Sequence, residues 1–265
     1  MSDLFKDGSF EIAKTKNYIL SIQVCLDGFS FFIFDTNEKR MVAIKNSPLK
    51  ISSEDLLARR LKEWLETEEL LKFQFKSVRI YFYTENFTLV PAEYLGYEKN
   101  RNLTSVLFDK KLGTNFIENK IENLNLSLFY PVSQDVLSVL NQFFNKGFEI
   151  NHAIKNLFQP PVKSVKRYLS IIHTTKKYFY LLIFEGKNLL LANCFQTPHP
   201  NDLVYNVINT FQQLEIARSN TELFVSGAIH QNSEINELLK VYFENLSYLN
   251  TEVIISNAGT DDSFV

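Results

Sequence analysis

Three short stretches carry residue types suited to holding an anion or a nucleotide. Ser226-Gly227-Ala228 follows the apolar run ELFV and precedes a helix signal near Ser233, so a hydroxyl and a flexible backbone meet at a strand-to-helix corner. Thr174-Thr175-Lys176-Lys177 sets two hydroxyls beside two ammonium groups, a combination able to hold an anion. Each stretch also has a plainer reading. Gly227 can supply a positive φ at a turn, and the Thr-Thr-Lys-Lys run can be a solvated hairpin tip. Asp27-Gly28, between two apolar runs, is foremost a hairpin turn signal. His152, His173, His199 and His230 show no ligand spacing, so no metal site is predicted. His173, at the end of a strand, is the one to watch. Cys25 and Cys194 form no CxxC pair and read as free buried thiols of a reducing compartment. The P-loop, dinucleotide, zinc-protease and nucleophile-elbow signatures are all missing.

Composition narrows the classes further. The chain has 265 residues and 45% hydrophobic side chains, enough for two domains with their own cores. Its 28 basic and 30 acidic side chains nearly cancel, which leaves no field to steer it to nucleic acid or anionic lipid. The 24 phenylalanines and 12 tyrosines lack the basic groove that base stacking needs, so they read as core. No apolar run has the length of a signal peptide or of a membrane span of about 18 residues. The reading is a cytoplasmic protein with no membrane insertion and no nucleic-acid partner.

The elements that would position these residues occur twice. The run from Leu20, LSIQVCLDGFSFFIFD, returns at Leu169 as LSIIHTTKKYFYLLIFE with one extra residue, which aligns Ser21 with Ser170. Each run reads as a hairpin closed by an acid, Asp35 or Glu185. In each copy a third strand, a proline, a helix and a further strand follow. The first helix starts at Ser52 with Asp55 and places Leu57, Leu61, Trp64 and Leu65 on one face. The second starts around Asn201 and Asp202 and presents Val204, Val207, Ile208 and Phe211. The closing strands are VRIYFY from Val78 and ELFVS from Glu222. The first copy adds FTLVP at Phe87 to Pro91, a polar stretch from Gly96 to Asn123, the strand NLSLFY, and a helix capped by Ser133. Gln159-Pro160-Pro161-Val162 then breaks the chain. The expected domains are 12–159, with the insertion, and 162–256, followed by a flexible tail, 257–265.

This layout resembles the tandem duplicated ribonuclease H-like units of the actin, sugar kinase and Hsp70 superfamily, and implies an α/β fold of actin-like ATPase architecture with mixed sheets. FTLVP, the spacing and the LSI strand starts more closely resemble an uncharacterised bacterial family grouped with actin-like ATPases. The layout, especially the run LFYPVSQDVLSVLNQFF, is also similar to the cytoplasmic actin-like assembly proteins of type IV pili and type II secretion. The resemblance implies an Asp on the first strand of each half, because metal-bound phosphate needs carboxylate nearby. Ser21 with Gln23, and Ser170 with Ile172, stand there instead. The implied function is therefore a noncatalytic actin-like protein that acts by protein association, self-association or scaffolding, with no catalytic residue and no cofactor. The alternative is a nucleotide-binding regulator or weak ATPase. It would hold ATP in the interlobe cleft through Gly227 and Ser226 at the adenosine corner and Thr174, Thr175 and Lys176 at the second phosphate loop.

Overall fold

The computed structural model describes residues 3–6, 10–95, 114–159, 164–228 and 233–249. The junction at Pro160-Pro161, residues 96–113 of the polar stretch from Gly96 to Asn123, His230 and the tail 257–265 lie outside them. The chain divides into two compact units, the first running to Lys155 and the second beginning at Asn156.

The first unit is built on a six-stranded sheet. Its strands are β1 (Asp3–Lys6), β2 (Tyr18–Cys25), β3 (Gly28–Asp35), β4 (Arg40–Pro48), β5 (Ser77–Phe82) and β9 (Glu149–His152), in the order β1-β4-β3-β2-β5-β9. A three-stranded sheet, β6 (Thr88–Pro91), β8 (Leu126–Ser133) and β7 (Thr114–Ile121), completes it. The second unit holds β10 (Tyr168–Thr174), β11 (Tyr178–Glu185), β12 (Asn188–Gln196), β13 (Thr221–Gly227) and β14 (Leu246–Tyr248), in the order β12-β11-β10-β13-β14. Apart from β1, the two large sheets repeat one order. In each, the first three strands pair antiparallel and the last two join in parallel, so both sheets are mixed.

Helices cover one face of each sheet. In the first unit α1 (Glu54–Thr67) packs beside α2 (Gln134–Phe143), and Trp64 of α1 lies 5.1 Å from the Phe29 ring and 6.3 Å from Phe31. In the second, α3 (Pro200–Gln213) and α4 (Glu234–Tyr242) bury Leu203, Val207, Phe211 and Leu239 against Ile172, Leu181, Ile183, Leu223 and Val225. The starts of these helices are chemically specific. Ser133 Oγ accepts the Val136 amide at 3.2 Å and caps α2. α1 is preceded by Ser53 rather than Ser52, and Ser53 makes no side-chain cap. His199 caps α3 in a reciprocal box with Asp202, and Pro200 occupies the first turn.

The hairpin registers correct the alignment of the two runs. Tyr18 lies opposite Asp35 and Tyr168 opposite Glu185, while the bulges fall at Ile33/Phe34 and at Ile183/Phe184. The loops are Leu26-Asp27 and Lys176-Lys177, of equal length, so no residue is inserted between the runs. Leu20 therefore corresponds to Ser170, Ser21 to Ile171, and Gln23 to His173. Because strand side chains alternate, a slip of one residue exchanges the faces. Ser170 shares the helix-facing side of β10 with Ile172, and its hydroxyl is fully buried without a hydrogen-bond partner. Ser21 is on the opposite side of its own sheet. The two serines are not equivalent.

FTLVP contributes β6, an edge strand that pairs antiparallel with β8 and ends at Pro91. Val90 is buried, while Phe87 and Leu89 are half-buried, and the Phe87 ring lies 5.2 Å from that of His152. His152 is itself fully buried: its Nδ1 accepts the Ile154 amide and its Nε2 faces the Thr84 carbonyl oxygen at 3.2 Å, an arrangement that fits the neutral Nε2–H tautomer. Packing, not display, accounts for this segment.

Candidate functional site

On the face turned away from the helices, each large sheet carries a row of polar side chains at one level. In the first unit the register lines up Asn46, Ser30, Gln23, Tyr81 and Asn151 across five strands. Ser30 Oγ donates to Gln23 Oε1 at 2.8 Å, and Lys155 Nζ donates to Asn151 Oδ1 at 3.0 Å. Next to this row, Ser21 lies beside Arg79 of β5, whose Nε is 3.5 Å from Glu149 Oε2. The corresponding row in the second unit is Cys194, Tyr180, His173 and Ser226. His173 Nδ1 sits 2.9 Å from Ser226 Oγ, and its ring stacks on Tyr180 with centroids 6.2 Å apart.

His173 is buried, and burial pushes its imidazole down to about 4, so the ring is neutral at pH 7. Adjacent to it, Thr174 Oγ1 donates to the Ser226 carbonyl oxygen at 3.2 Å, and the Ala228 amide donates to the Thr174 carbonyl oxygen at 3.0 Å. Thr174 stands opposite Gly227 in the parallel ladder. Gly227 has φ +89°, and a Cβ there would fall 2.1 Å from the Thr174 carbonyl oxygen. The corner therefore requires glycine on backbone grounds alone.

Of the five residues singled out from sequence, the structure brings Thr174, Ser226 and Gly227 together on adjacent strands. Thr175 and Lys176 lie in the hairpin turn. Thr175 Oγ1 is engaged there, donating to the Tyr178 carbonyl oxygen at 2.8 Å and accepting the Tyr178 and Lys177 amides. Lys176 is exposed. At the other hairpin, Gly28 has φ +131° and a Cβ there would fall 2.4 Å from the Ser47 carbonyl oxygen, so Asp27-Gly28 also serves the backbone. The polar rows escape sequence reading because no local motif marks them. Aligning the acid-closed ends of the runs, Asp35 with Glu185, would have paired Gln23 with His173.

Chemically, the arrangement offers hydroxyls, an amide and a neutral imidazole. Neither first strand, YILSIQVC or YLSIIHT, contains an acid in any register. Among the described residues no three His, Cys, Asp or Glu side chains are grouped so as to hold a metal ion, and no helix is long and apolar enough to cross a membrane.

Two mixed sheets of one strand order, each backed by helices on one face, define the actin-like ATPase fold. The chain is similar to a protein of actin-like ATPase fold and unknown function from Bacteroides thetaiotaomicron VPI-5482, with 21% identity, a TM-score of 0.81, and coverage of 96% of this chain and 100% of that one. It is also similar in fold to the PilM-PilN type IV pilus biogenesis complex, with 11% identity, a TM-score of 0.54 and 88% of each chain covered. Residues 7–246 match the family described as protein of unknown function DUF3822, and the chain belongs to that family. No curated protein matches it by sequence.

Proposed function

We propose that this chain is a noncatalytic protein of the actin-like ATPase fold that acts by protein association or scaffolding in the cytoplasm. The observation that carries the reading is the content of the two first strands. Where a carboxylate would hold magnesium beside phosphate, Gln23 and His173 stand on the corresponding face, and each is tied to a neighbour in its own sheet. PilM, a protein of this fold, occurs in a complex with PilN. That is support by analogy of fold.

A second reading, a nucleotide-binding regulator or weak ATPase, rests on Thr174, Ser226 and Gly227 meeting at one corner. The two readings part on ATP. Wild-type protein is expected to show no magnesium-dependent ATP hydrolysis above background, since loss of positioning and electrostatic groups removes several orders of magnitude in rate. Calorimetry with ATP and magnesium measures binding separately. Gly227 cannot serve as the test position, because any side chain there strains the backbone. Lys176→Glu, at an exposed residue, is the suitable control. Turnover by the wild type that the Lys176→Glu protein loses would overturn the noncatalytic reading.

A further inference from the structure

The first unit buries a charge that its own contacts do not satisfy. Arg79 of β5 is 9% exposed, and its Nε has no hydrogen-bond partner. Its register neighbours on the polar face are Ser21 of β2 and Glu149 of β9. Glu149 Oε2 lies 3.5 Å from that Nε without completing a bond, and the Glu149 side chain is 60% exposed, so solvent weakens the pair. A second cation stands one step along the face. Asn151, the diagonal neighbour of Arg79 on β9, accepts from Lys155 Nζ at 3.0 Å, and among the described residues Lys155 has no carboxylate partner. Two cations therefore face one exposed carboxylate, which leaves an excess of one positive charge. The fold does not demand it. At the same register points of the second unit stand Ile171, Phe224 and Ser247, the first two of them buried and apolar. An apolar side chain at 79 would be easier to bury than a guanidinium with its hydrogen bonds unmade.

We propose that Arg79 and Lys155 hold the carboxylate of a ligand on the polar face of the first sheet, with the Ser21 hydroxyl beside Arg79 as a further donor. A guanidinium matches a planar carboxylate through two parallel N–H···O bonds, and an ammonium adds a point charge to the same group. The charge count selects the ligand class. One excess positive charge is neutralised by one carboxylate, whereas a phosphate dianion would bring a second negative charge that Glu149 opposes. A free carboxylic acid and an acidic side chain of a partner both supply this group. The site lies within one unit and stands whether or not the chain associates with other proteins.

NMR titration of the full chain with sodium acetate, against sodium chloride at equal ionic strength, tests this. The Arg79 Nε–H resonance is expected to shift saturably with acetate and not with chloride, a readout that needs no variant to fold. Lys155→Gln should weaken the acetate affinity about tenfold, and Arg79→Gln should abolish it, each with unchanged circular dichroism. A parallel titration with a capped glutamate peptide assigns the source: tighter binding than acetate means an acidic partner segment, equal or weaker binding a free acid. A shift that fails to saturate, that chloride reproduces, or that accompanies equal affinity in both variants would overturn the site. Tighter binding of inorganic phosphate than of acetate would overturn the carboxylate assignment.

Discussion

An alanine at position 227 would have to adopt φ +89° and place its Cβ 2.1 Å from the Thr174 carbonyl oxygen. The left-handed conformation alone costs about 1–2 kcal/mol, so Gly227→Ala is expected to lose about 2 kcal/mol or more in urea unfolding. Ser170 invites the opposite change. Its buried hydroxyl lacks a partner, and Ser170→Ala should gain about 1 kcal/mol, seen as a higher melting temperature. A fall would show that the hydroxyl is hydrogen-bonded. His173 makes stability depend on pH. Its folded-state value, about 4, lies below the ordinary 6.5, so between the two the unfolded chain binds more protons. Stability from this group is complete above pH 6.5 and drains as pH falls toward 4, by up to about 3 kcal/mol. His173→Gln, which installs the residue type of the corresponding position in the first unit, should flatten that stretch of the pH–stability curve.

At the level of elements, α2 and α4 each start on a single serine cap, Ser133 and Ser233. Ser133→Ala removes the bond to the Val136 amide and should cost about 1 kcal/mol in chemical denaturation. The Ser133 cap was legible because serine ahead of a helical apolar stripe is a strong signal. The His199 cap was not, because histidine is an unusual cap and only its reciprocal bond with Asp202 reveals it. The long apolar strands of both hairpins were legible for the same reason that they fold: they bury aromatic and β-branched residues on a pleated surface. β1, β9 and β14 are too short to show alternation, and β7, TNFIENKI, is polar enough to read as loop. The shared Ser at the second position of each run suggests one register and the closing acids another, and the hairpins follow the acids. Two identical residues one step out of phase cannot face the same way in a strand, so Ser170 belongs to the core and Gln23 and His173 to the candidate site.

For the molecule as a whole, the repeated strand order places Gln23 and His173 at matching points of the two sheets. Whether a carboxylate at either point would hold magnesium within its own sheet can be tested directly. Gln23→Asp and His173→Asp single variants each put a carboxylate at one point, and the buried one, at 173, is expected to melt below wild type because an unpaired buried carboxylate is costly. Added magnesium should leave that deficit unchanged. A magnesium-dependent recovery would mean that a carboxylate at 173 can hold the ion. The Gly227 corner bears on a different matter, that of historical inference. Because the backbone of Thr174 fills the space a side chain would take, mechanical necessity keeps a glycine at 227 whether or not anything binds beside it. Its presence is therefore no witness to a ligand in this chain. The residue after it, Ala228, is under no such constraint from a positive φ, so the demand for glycine ends at a single position of the corner.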